Sequence, residues 1–396
     1  MHSSRGCYPA DGGLSATRAG RIVDPVTATN VPARPEPSTG PGAAFLPELD
    51  VIRGTAIIWV LWLHVYFSES AGIPNWEQWT IRLSHLFAHG AVPMFLFISG
   101  FLVARDHSPG FGVFAGRRAR RVLIPGLTWL TLAFVYEAWR RGGIDRALLN
   151  AYALFDVSGQ FYYLIVLAAL TIAIYPFLHA SRRATIALAV VMTLANLAMV
   201  AWYEQQEMRG NLAVLAYRNP LVWAGFFTVG LAVARTWPDL RWPRAVTLVA
   251  VATMAGAAAL YAWMYATSEH TPVSYFGITV FTFSAASMFV WPPLARATLN
   301  SPARLAVGPM LWLAPYAFAI YLVHKPYFIG WLSHRLVSDS MLAQDDLALM
   351  LGLFLVGGTA TVAVVAAAPR LWPWGARVLM GVEATAPRPD HDERTR

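Results

Sequence analysis

The sequence predicts an all-α fold: a polytopic membrane helix bundle of about ten transmembrane helices with both termini cytoplasmic. Three observations carry this reading. Hydrophobic residues make up 57% and charged residues only 13% of the 396-residue chain, with mean hydropathy +0.47, where a soluble domain carries about 25% charged residues. Apolar runs near the ~20 residues needed to cross ~30 Å of hydrocarbon recur along the chain. The arginines gather in the short hydrophilic gaps between those runs, as membrane topology requires.

The runs predict helices over 51–68, 86–104, 122–139, 161–178, 184–202, 220–235, 244–266, 272–292, 309–332 and 346–367. Tryptophans and tyrosines near the run ends, among them Trp76, Tyr203, Trp237 and Trp372, suit the membrane–water interface. With the N-terminus inside, the inner loops hold twelve arginines and the outer loops seven, and the tails add nine to the inner side. That bias sets the orientation, against the contrary Arg140–Arg146 cluster. Residues 1–44, rich in Pro, Gly, Ser and Thr, read as a disordered cytoplasmic tail. The membrane body spans 45–368, and 369–396 reads as a cytoplasmic C-terminal tail. The tail 1–44 has no apolar core of signal-peptide type, so the first helix is expected to act as its own insertion signal.

The net charge of +8 and pI of about 9.8 come almost wholly from arginine, since Lys325 is the only lysine. With arginine confined to helix boundaries, the pattern excludes a nucleic-acid footprint. The single cysteine, Cys7, excludes an internal disulfide or thiolate metal site and lies outside the membrane body. The expected place is the cell (inner or plasma) membrane, in multi-pass form. An Ala- and Arg-rich composition nearly free of lysine suggests a GC-rich bacterial genome.

Four places carry chemistry. Arg53 and His64 in the first helix are eleven residues apart, close to three turns, so both lie on nearly one face ~16 Å apart. Ionisable groups within a membrane mark function by default. The alternative makes Arg53 a snorkelling anchor paired with Asp50 and His64 a packing histidine. Ser99 and Gly100 form a small polar step at the end of the second helix, explained otherwise by close helix packing. Arg117, Arg118, Arg120 and Arg121 precede Pro125 and suit a phosphate-bearing ligand, or an ordinary positive-inside cluster. His324 in the ninth helix reaches a depth similar to His64, and Lys325, which follows it, needs a partner or water at that depth. His85 and His89 have metal-compatible i,i+4 spacing, though no acidic ligand stands nearby, so no metal is expected. Glu137 and Glu69 near the outer face are candidates to orient a histidine or contact a sugar.

Taken in order, Arg-x10-His (Arg53 to His64), Phe95-Leu-Phe-Ile-Ser-Gly-Phe-Leu102, the basic Arg117–Arg121 run before Ile124-Pro125, and Ile320-Tyr-Leu-Val-His324 resemble the acyltransferase 3 family. The likeness covers roughly residues 46–368, including Phe226-Phe-Thr-Val-Gly230, similar to the family's Phe-x-x-Gly step. Gln160 departs from it, standing where His is common, and Ala317-Phe318-Ala319 replaces a usual Ser-Phe-Gly. The resemblance implies that 45–368 is a transmembrane acyltransferase domain. It implies an acyl-CoA co-substrate (acetyl-CoA the commonest) and no permanently bound cofactor. Its acceptor would be a carbohydrate or glycosylated molecule such as a cell-envelope polysaccharide, and its setting the lipid bilayer. In that reading Arg53 and Arg117, Arg118, Arg120 and Arg121 hold the donor's phosphates. His64 is general base or transient acyl carrier, His324 a second candidate for proton transfer or acceptor positioning, and Ser99 a group facing the oxyanion. The rival reading is a lipid or glycan transporter or flippase, and a third is a non-catalytic partner of a biosynthetic complex. The lack of a visible internal repeat counts against transport.

Overall fold

The computed structural model describes residues 45–65, 76–106, 108, 110–206, 210–267, 274–333 and 347–382. The described residues hold helices and no strand. Ten helical columns follow in order: α1 (Pro47–Leu63), α2 (Trp76–Ala104), α3 (Phe111–Arg141), α4 (Tyr162–Phe177), α5 (Arg182–Glu204), α6 (Leu212–Thr236), α7 (Arg244–Thr267), α8 (Ile278–Leu299), α9 (Pro302–Leu332) and α10 (Leu347–Leu371). Eight of them are long and apolar enough to cross a membrane. The other two expected spans are α1, with 17 residues, and α4. The chain is therefore a multi-pass membrane helix bundle.

Helix ends differ from the apolar runs because the hydrogen-bonded backbone continues past the apolar residues. Pro47 at the first turn and Glu48 and Asp50 behind it start α1 ahead of its apolar run, where proline and acidic groups suit the free N–H groups. The same helix ends at Leu63, so His64 is its capping residue rather than a mid-helix one. Column α3 begins at Phe111, well before the run at 122, and carries the arginine cluster on its first turns.

Column α2 is the centre of the bundle. Its apolar window is 78% buried, whereas that of α7 is 17% buried and turns its apolar side outward, as a lipid-facing helix must. Close approach of α2 and α6 explains two of the small-residue steps. A side chain at Gly100 would run into the Phe227 carbonyl, and one at Gly230 into the Phe97 carbonyl. Backbones in direct contact replace the hydrophobic drive that is absent between helices in lipid. Column α5 adds to this stack where the Asn196 side chain donates to the Val222 carbonyl at 2.5 Å.

Within the expected C-terminal tail the chain after α10 folds further. Residues Pro373–Leu379 form a further helix, α11. Gly375, Ala376 and Val382 are buried there, and the Trp129 indole of α3 donates to the Leu379 carbonyl at 2.8 Å. Apolar residues and a tryptophan donor hold this segment in the fold. The predicted tail 1–44 lies outside the described residues, as do 383–396.

Candidate active site

The site begins at the histidine pair. Wrapped in its own helix, His324 sets Nδ1 2.8 Å from the Tyr321 carbonyl and 3.1 Å from that of Ile320. A nitrogen facing two carbonyl oxygens must carry the hydrogen, so Nε2 of neutral His324 is an acceptor. That Nε2 lies 3.1 Å from Nδ1 of His64, which is also 2.8 Å from the Val60 carbonyl. Two acceptors on one nitrogen again fix the hydrogen on Nδ1. The lone pair of His64 is thereby assigned to Nε2, the nitrogen without a hydrogen-bond partner among the described residues. The two rings meet edge to face at 4.7 Å between centroids. His64 lines a cavity, whereas His324 is fully buried and lines neither of the cavities described next. Outside its own helix its side chain meets His64.

Two cavities meet beside this pair. The larger, about 950 Å³, is lined by Arg53, Arg117, Arg118, Arg120, Arg121 and Arg377, with no carboxylate in its wall. The smaller, about 400 Å³, is lined by His64, His85, His89, Gln160, Lys325 and five tyrosines, with Asp156 and Arg218. Val60, Val92, Tyr163 and Tyr321 belong to both walls. The tyrosines are held from below: the Tyr321 hydroxyl donates to the Gln160 carbonyl, and the Tyr163 hydroxyl faces Ser99 and Arg53.

The arginines are not equivalent. Arg53 is bonded to Asp50 at 3.0 Å, the anchor arrangement, yet stays partly exposed to the larger cavity. Asp106, in the loop before α3, draws Arg118 to 3.2 Å and Arg117 to 3.7 Å. Burial pushes the Asp106 carboxyl up, but Ser108 hydrogen bonds and the two guanidiniums outweigh it, and the net shift is downward. Arg120 and Arg121 have no acidic partner among the described residues and line the cavity unneutralised. Their placement comes from a wide turn, Ala119–Leu123, with i→i+5 bonding just ahead of Pro125. A second such turn, Lys325–Ile329, begins beside Pro326. In both, a proline lacks the N–H and crowds the preceding turn, so the helix opens locally.

The structure thus brings His64 and His324 into contact, and brings Arg53 and the arginine cluster together in another chamber. Ser99 lines the arginine-rich cavity rather than the one that His64 lines. His89 stacks on Tyr275 at 4.5 Å and bonds through Nδ1 to the His85 carbonyl at 2.7 Å. Among the described residues no three His, Cys, Asp or Glu groups could hold a metal ion. Glu137 lines neither cavity: it is paired with Arg140 at 2.8 Å and Arg141 at 3.3 Å. Glu69 lies outside the described residues. Tyr163, Tyr321 and Tyr275, Asp156 and Arg218 were not foreseen. Tyrosines in a membrane protein read as interfacial anchors, and only their convergence in space distinguishes these.

The acyltransferase-domain model of the acyltransferase 3 family matches residues 46–368. The chain belongs to that family and is an acyltransferase acting on groups other than aminoacyl groups. No curated protein and no solved structure matches the chain.

Proposed function

We propose that the protein is a membrane O-acyltransferase that moves an acyl group, most simply acetyl, from cytoplasmic acyl-CoA to a hydroxyl of a glycan or glycosylated acceptor. The observation that carries this is the fixed tautomer of His64: Nδ1–H is committed to Val60 and His324, and Nε2 keeps its lone pair on a residue that lines the smaller cavity. The donor's phosphates suit the larger cavity, where arginine forks match phosphate oxygens. Its volume falls within the range of small-molecule sites, about 300–1,000 Å³.

The reaction follows from that arrangement. The acceptor hydroxyl gives its proton to His64 Nε2 as its oxygen attacks the thioester carbon. The carbon–sulfur bond breaks, and the CoA thiolate takes the proton back from the imidazolium. The charge on the imidazolium is met by the Val60 carbonyl and the His324 lone pair. An acyl group carried transiently on Nε2 would use the same lone pair. The shared wall of Tyr163 and Tyr321 is where donor and acceptor would meet, and Ser99 stands on its donor side.

The test is transfer of radiolabel from acetyl-CoA by membranes holding wild type, His64→Ala or Arg53→Ala, with envelope glycan as acceptor. Label should enter glycan with wild type and disappear with His64→Ala at equal expression. No transfer by folded wild type across several donors and acceptors would overturn the reading, and transfer that survives His64→Ala would overturn the role of His64.

A further inference from the structure

We propose that the smaller cavity is an anionic subsite in which Lys325 binds a phosphate or carboxylate carried by the acceptor sugar. This rests on the acyl-transfer reading of the same cavity. Lys325 follows His324 directly and lines the cavity. A side chain at Gly159 would begin 3.0 Å from its Nζ, and the glycine, at φ 77°, leaves the ammonium its room.

The charged groups facing that ammonium do not balance it. Asp156 is the only carboxylate lining the cavity among the described residues. It is held by Arg218, Nη2 to Oδ1 at 2.8 Å, while Arg218 also donates Nη1 to the Val214 carbonyl at 2.6 Å and Nε to the Leu154 carbonyl. Asp156 and Arg218 therefore cancel. The remaining titratable groups in the wall are His64, His85, His89 and tyrosines, none of them an anion at neutral pH. Asp156 also attracts Lys325, but one carboxylate shared with Arg218 leaves one positive charge over among the described residues, and an incompletely balanced buried charge is among the costliest features a membrane protein can keep.

A second observation points to a ligand independently of charge. Gln160 is 2% exposed and lines the same cavity, and neither its amide oxygen nor its amide nitrogen has a hydrogen-bond partner among the described residues. The Tyr275 hydroxyl in that wall is also buried without one. Each such group, desolvated and unmatched, works against folding until a ligand supplies its partner. One ammonium, one amide and one phenol, all unmatched, face about 400 Å³ beside His64. An acidic sugar supplies what they lack: an anion for Lys325, a hydroxyl for each face of the Gln160 amide, and a ring face for the tyrosines.

The experiment is equilibrium binding to the full chain in lipid nanodiscs, with glucose, glucuronate and glucose 1-phosphate as neutral, carboxylate and phosphate probes. At least one anionic probe should bind roughly ten- to a hundredfold more tightly than glucose, the size of a buried charge-assisted hydrogen bond. Lys325→Met should collapse the difference, Lys325→Arg should keep most of it, and the tighter anion names the group recognised. Three results overturn the proposal: glucose binding as tightly as both anions, no binding of either anion, or a preference that survives Lys325→Met and so arises at the arginine cavity. The wild-type comparison decides even where a variant fails to fold. Anion-selective binding without label transfer would sink acyl transfer and leave the subsite standing. Transfer to glycan without anion preference would do the reverse.

Discussion

Replacing His324 with leucine isolates what the histidine pair contributes. The variant keeps an apolar side chain of similar size in a fully buried position and leaves His64 Nδ1 with the Val60 carbonyl alone, at 2.8 Å. The lost interaction, at 3.1 Å, is shared with that carbonyl and becomes charge-assisted only when Nε2 has taken the acceptor's proton. Hydrogen bonds to charged groups contribute about 1.5–3 kcal/mol, and the long, shared geometry favours the lower half of that range. The rate constant should therefore fall about 10- to 30-fold. His324 lines neither cavity, so the KM for acyl-CoA should stay within about threefold. His64→Ala should cost more, about 10²- to 10⁴-fold, and the double variant little beyond it, since both residues act through one imidazole. His324→Gln, whose amide oxygen can accept, should recover part of the loss. The assay is steady-state acyl transfer with acyl-CoA varied at fixed acceptor. An unchanged kcat would refute the positioning role. A loss as large as that of His64→Ala would make His324 a chemical participant, and a rise in KM alone would move it to the donor site.

Three further outcomes are expected. Arg120→Gln and Arg121→Gln should weaken coenzyme A binding in titration calorimetry by about tenfold each, more than Arg117→Gln, because Asp106 already neutralises part of Arg117. The Asp106 carboxyl sits below its ordinary value of 3.8, so its contribution to stability is present above that value and is lost as pH falls through it and lower. The melting temperature of Asp106→Asn should accordingly lie below wild type at pH 7, and the two should converge as the pH is taken below the ordinary value of 3.8. Gly100→Ala and Gly230→Ala each push a methyl into an opposing backbone carbonyl and should destabilise by about 1–3 kcal/mol or abolish folding, read as loss of the monodisperse peak in detergent chromatography.

Membrane physics is written plainly in this sequence, and so the columns could be read from apolar runs and arginine gaps. The helix-one and helix-nine histidines were also legible, because an ionisable residue deep in an apolar run has few explanations. What the sequence hid was pairing at a distance. Nothing local says that Asp106 withdraws two of the four clustered arginines, that Glu137 is spent on Arg140 and Arg141, or that Tyr163 and Tyr321 stand between two cavities. The end of α1 at Leu63 was likewise invisible, since the apolar run continues past the point where the helix stops. The helix at Pro373–Leu379 was invisible for a related reason: a short stretch with one proline and one arginine lacks a spanning helix's length, and Trp129 and the buried Ala376 hold it in the fold.

The backbone contact at Gly100 and Gly230 carries a consequence for how this protein can change. Every other amino acid adds at least a methyl at either position, so no single mutation offers a tolerable neighbour, and the crossing of α2 and α6 is closed to gradual variation. Chemical novelty has to enter through the chamber walls, where Gln160 and Lys325 already sit, while the spine behind them stays fixed. A lineage built on this bundle would diversify by repainting its rooms and never by moving its frame.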